Sequence, residues 1–232
     1  MAGPPASAQK LRAQAEHRWP AVIATLVGIA LYATLPSSFE PLLRYAVVAL
    51  LVVAILPLVF LNPHRLTRQT RWSRTLSVAV GVILLIANQV ALVQLIVELV
   101  SAQDGAEVLL AALQVWATNV IAFALVFWEF DRGGPVARRQ KARKEVQPAD
   151  FRFAQDEDDD AIDEVAARSA RHADWMPGYI DYLYISLVNA MAFGPADVMP
   201  LSHRAKLLLG LEAFCAFVIL ALVIARAVSL LG

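Results

Sequence analysis

Residues 183–200 read LYISLVNAMAFGPADVMP, and the way this stretch meets a membrane decides the fold. It follows a charged segment and precedes the last apolar run of the chain. Gly194 and Pro195 break it too early for an ordinary span, yet it is too apolar for an ordinary loop. Pro177-Gly178 punctuates the chain before it, and Asp181 suits a helix N-terminus, where free amides and the positive dipole end favour a carboxylate. A helix over about 179–193 is expected, ~22 Å long at about 1.5 Å per residue. It either crosses as a short sixth span or enters as a half-helix and turns back, as irregular backbone at depth requires surrounding protein or water.

Outward from this stretch the chain is dominated by apolar runs. Of its 232 residues, 59% are hydrophobic and 17% charged, against roughly half and a quarter in soluble domains. Five runs are long enough to cross ~30 Å of hydrocarbon as helices. They extend from Trp19 to about Leu35, Leu42 to Leu61, Leu76 to Val100, Val108 to Trp128, and about Leu207 to Leu231. Trp19, Tyr45, Trp72 and Trp128 mark their ends, as amphipathic rings do at the headgroup layer. The expected fold is an all-α integral membrane protein with five long transmembrane helices plus the short or re-entrant helix.

Four regions follow: a tail over 1–18, a four-helix membrane region over 19–128, a charged loop over 129–177, and the short helix with the final span over 178–232. The loop opens with DRGGPVARRQKARKE and continues with DFRFAQDEDDDAIDE. Its basic half, with Arg138, Arg139, Lys141, Arg143 and Lys144, is placed to contact anionic lipid headgroups, an attraction of ~1 kcal/mol per residue. The acidic run Asp156–Asp160 lacks the glycine turn and terminal Glu of a calcium loop and reads as a solvated, partly disordered segment. Lys10, Arg12 and Arg18 load the tail, and Arg65, Arg68, Arg71 and Arg74 the second connection. The first and third connections are nearly free of basic residues, with Arg44 at the edge of the first. The positive-inside rule then puts the N-terminus and the large loop in the cytoplasm of a multi-pass protein of the cell membrane. Ala- and Arg-rich, Lys-poor usage suggests a GC-rich bacterial source.

Within the apolar runs, Asn88, Gln114 and Asn119 are candidate intramembrane polar residues, with Gln89, Gln94 and Thr118 nearby. Such groups hydrogen-bond across helices for ~0.6–2 kcal/mol each, or line a solute path. Glu212 falls in the first turns of the last span, with Leu208 and Cys215 near it on one face. An ionisable group there costs ~2.5 kcal/mol or more if central and marks a functional site.

Enzyme chemistry finds no support. The four histidines are scattered, no HExxH, GxSxG or phosphate-binding glycine loop occurs, and the single cysteine has no partner. No catalytic, cofactor or metal residues are assigned, and nothing in the composition points to nucleic acid.

Residues 183–200 resemble the pore helix and filter of tetrameric potassium-type channels, a pattern running roughly LYFSFVTLTTVGYGDxxP. The match is ungapped through Leu183–Met191, Gly194, Asp197 and Pro200, and LSHRAKLLLGLEAFCAFVILALVIARAV resembles the inner helix that follows. The resemblance covers about 50 residues and implies a homo-oligomer with Asn189, Phe193, Gly194, Pro195 and Asp197 at a pore or turn. Ala192 stands for the filter Thr, Pro195 for the Tyr and Ala196 for the second Gly, so potassium selectivity is not implied. WEFDRGGP and DYLYISLVNAMAFGPADVMPLS also resemble segments of a group of bacterial multi-span membrane proteins of unknown function. The expected function is a non-conducting scaffold or sensor with a charged cytoplasmic loop. The alternative is a channel-like or transporter-like oligomer.

Overall fold

The computed structural model describes residues 15–36, 40–62, 64–66, 69–101, 105–156, 162–169, 175–191, 194 and 197–229. Helices α1 (Trp19–Ala33), α2 (Pro41–Leu61), α3 (Arg71–Ser101) and α4 (Gly105–Phe130) come first. A folded segment follows, with the short helices α5 (Pro135–Gln140) and α6 (Asp163–Ala166) and strand β1 (Phe151–Phe153). The chain then forms α7 (Tyr179–Ala190), strand β2 (Val198–Pro200) and α8 (His203–Ser229).

Among the described residues four helices are long and apolar enough to cross a membrane, where the sequence predicts five. The run expected from Trp19 to Leu35 forms only the 15-residue α1, about 22 Å long. Pro20 fixes its start, and the chain leaves the helix before Leu35-Pro36. Arg44 is not a solvated loop charge. Its guanidinium donates to the carbonyls of Leu35 and, at 2.8 Å, Pro36, and so holds the turn that follows α1.

The surface bears out a membrane protein in general. Leu42, Phe60, Leu207, Phe214 and Phe217 stand 60–83% exposed along α2 and α8, a surface that only hydrocarbon would accommodate. The core runs along α4, which packs against α1, α3, α7 and α8. Ala122, Phe123 and Ala124 have no exposed surface at all. Small residues permit the close approach: a Cβ on Gly28 would lie 3.2 Å from both Ile121 and Leu84.

The charged loop over 129–177, expected to be partly disordered, is folded over its described first part. Phe151 and Phe153 are buried and Arg152 points out, the period of a half-buried strand. Phe153 meets Tyr182 edge-on at 5.6 Å and Trp175 at 5.5 Å, and Phe151 meets Phe127 at 5.2 Å. Strand β1 pairs antiparallel with β2, Phe151 opposite Pro200 and Phe153 opposite Val198. Of the acidic run, Asp156 is described and 157–160 lie outside the described residues.

This pairing resolves how α7 lies. Its first residue is held at the loop end, where the Tyr179 amide donates to Glu16 at 2.6 Å. Its last, Ala190, packs with Val120 and Ala216 inside the bundle, and the Trp116 indole donates to its carbonyl at 3.4 Å. The chain then returns to β2, beside β1, and α8 starts from the same end with Arg204 on Asp150. Helix α7 therefore runs from the loop end into the bundle, and the chain after it comes back to the same end. Its twelve residues span about 18 Å, too few to cross ~30 Å.

Candidate functional site

Two buried polar clusters sit on α7, one at each end. The first closes the loop end of the bundle. After α4 the chain reverses sharply: Arg132, Gly133 and Gly134 all have positive φ, at 53°, 82° and 92°. The φ of Gly134 favours glycine, and a Cβ there would also lie 3.1 Å from the Glu129 carbonyl and displace the end of the Arg74 side chain. The reversal leaves Asp131 fully buried, facing α7. Its carboxylate accepts the Tyr182 hydroxyl at 2.5 Å and the Asp150 amide at 2.6 Å. Asp150 in turn accepts from Ser202 at 2.5 Å and from Arg204 at 2.6 Å. Ser202 also accepts the Ala205 amide at 3.1 Å, which caps α8.

Arg138 is the centre of this cap. It is 1% exposed and donates to the Trp128 carbonyl at 2.7 Å and to Glu16 at 3.4 Å. Its guanidinium carbon lies 5.0 Å from the Tyr182 ring centre. Burial pulls its pKa down, but Tyr182, Glu16 and Asp131 outweigh burial and hold the net shift upward. Arg138 is thus withdrawn from the lipid-facing set. Arg139 donates to the Met176 carbonyl at 2.6 Å, while Lys141, Arg143 and Lys144 are exposed.

The second cluster lies within the bundle. Ser186 and Asn189, three residues apart, occupy the inner face of α7. Glu212 on α8 has no exposed surface and meets both. Asn189 donates to Glu212 Oε2 at 2.8 Å and to the Leu209 carbonyl at 3.0 Å. Ser186 Oγ is in hydrogen-bond contact with Glu212 Oε1 and, at 2.7 Å, with the Val120 carbonyl of α4. Asn189 and Glu212, expected in different candidate groups, belong to one site. The sequence reading placed Ser186 only within the pore-helix match.

One turn further along α8, Cys215 donates to Gln89 at 3.0 Å. Gln89 and Asn88 both donate to Asn119 Oδ1, at 3.1 and 3.0 Å. Buried polar groups thus join α3, α4 and α8. Gln114 stands apart and donates to the Thr34 hydroxyl at 3.0 Å. Gly194 has φ +68°, with open space where a Cβ would be, and Asp197 is exposed. Phe193 and Pro195 lie outside the described residues. No group of three or more His, Cys, Asp or Glu side chains among the described residues is arranged to hold a metal ion.

Comparison of the chain with family models, curated proteins and solved structures finds no match in any of the three. The site's chemistry must therefore be argued from its own geometry.

Proposed function

We propose that the protein is a non-conducting membrane scaffold or sensor in which a folded cytoplasmic cap is tied to a half-helix in the bundle. The observation that carries this reading is the destination of the polar side chains of α7. Ser186 and Asn189 are spent on Glu212, the Val120 carbonyl and the Leu209 carbonyl of the same chain. Polar side chains that line an ion path face that path. Here they fasten α7 to α4 and α8 instead.

The positive-inside rule supports a cytoplasmic cap and N-terminus in the cell membrane, with Lys141, Arg143 and Lys144 facing lipid headgroups or an acidic partner. At its other end α7 meets Asp131 and Arg138 through Tyr182. A shift of α7 is therefore felt in the cap, which is the mechanical requirement of a sensor.

Reconstitution tests the reading. Purified protein in liposomes passes no ion or small solute under an imposed gradient, and in nanodiscs it has the mass of one or two copies. Four copies with a flux that Asn189→Ala alters would establish the channel reading in its place.

A further inference from the structure

The contacts around Glu212 bear on how many protons the cluster holds. Ser186 Oγ touches two oxygens, the Val120 carbonyl at 2.7 Å and Glu212 Oε1. Each contact between oxygens at this range needs a proton in it, and a serine hydroxyl brings one. The Val120 carbonyl has none to give. The Asn189 amide group is no help either, since its two protons point to Leu209 and to Glu212 Oε2. A proton on the carboxyl supplies each contact with its own donor.

We infer that Glu212 is a proton-binding site. It carries a proton on Oε1 and donates it to Ser186 Oγ, which donates its own to the Val120 carbonyl. The chain of donors runs from α8 through α7 to α4, and the ligand is H⁺. The surroundings favour the neutral acid, because a buried ionised carboxylate requires a cationic partner or a full set of donors. Among the described residues no charged group is bonded to Glu212 from any packed helix. Helix α4 offers a carbonyl, α7 a hydroxyl and an amide, and α3 contributes Gln89 through Cys215, the nearest titratable group and itself on α8.

Losing the proton leaves two acceptors competing for the single Ser186 hydroxyl. The carboxylate takes it, and the Ser186 hydrogen bond to the Val120 carbonyl of α4 is lost. Proton occupancy at Glu212 thus sets whether Ser186 joins α7 to α4, whether or not the chain conducts. Loss of that bond at alkaline pH lowers the stability of the fold in which α7 is fastened to α4.

Infrared difference spectra of the full chain in lipid, wild type minus Glu212→Gln, test this. Glutamine keeps one donor and one acceptor where the acid has O–H and C=O, so this variant is expected to fold. At neutral pH the difference shows a protonated-carboxyl C=O band, which fades on alkaline titration. Ser186→Ala moves that band, because the acid loses its acceptor. Over the same alkaline range the wild-type melting midpoint falls while that of Glu212→Gln stays level. A difference spectrum at neutral pH with only ionised-carboxylate bands would overturn the inference. So would parallel melting curves for the two proteins across the pH range.

Discussion

Arg138 and Glu212 are buried to the same degree and solve opposite problems. Arg138 stays cationic because Glu16 and the Trp128 carbonyl receive its donors and the Tyr182 ring covers its face. Removing one member of such a buried set strands the others. Arg138→Ala is expected to cost ~3–5 kcal/mol, seen as a lower melting midpoint in detergent. Arg138→Lys recovers little, since an ammonium cannot reproduce the flat fork and its stacking on Tyr182. In the sequence, Arg138 belongs to a basic run and reads as solvated. Its burial depends on the reversal at Arg132–Gly134, where Gly133-Gly134 signals a turn but neither the positive φ of Arg132 nor the direction of the reversal is written locally. Glu212 was legible as a candidate because a lone ionisable residue in an apolar run is expensive anywhere. Its partners were not, for Ser186 and Asn189 lie 26 and 23 residues away and reach it only through the return of α7.

At the scale of elements, β1 is what converts a charged loop into a cap. The triplet Phe151-Arg152-Phe153 sits between a basic and an acidic block, and the average over the loop conceals its alternation. Both rings enter the aromatic group around Tyr182. Phe153→Ala should cost ~3–5 kcal/mol, as much as a core substitution. Arg152→Ala should cost much less, because its side chain is exposed. Limited proteolysis of the two variants between residues 141 and 200 separates them, with faster cleavage in Phe153→Ala alone. Equal sensitivity would mean that β1 does not anchor the cap. The long helices were the easiest elements to read, since length and hydropathy suffice for them. The first was overestimated because an apolar run extends beyond the helix at Leu35-Pro36.

For the whole molecule, the loop end gathers Glu16, Arg74, Asp131, Asp150, Tyr179 and Arg204, and the descending helices α1, α3 and α8 all leave from it. The sequence left open whether residues 179–193 cross or re-enter, because twelve to fifteen residues satisfy neither pattern decisively. The pairing of β1 with β2 settles the geometry: the chain before α7 and the chain after it meet at one end. Side-specific thiol labelling in sealed vesicles tests this most directly. Cysteines are placed singly at Gln155, at the exposed Met199 and at Ser229, with Cys215 replaced by Ser. Residues 155 and 199 are predicted to react from the same side of the membrane and residue 229 from the other. Labelling of 155 and 199 from opposite sides would contradict the account, since α7 would then cross the membrane.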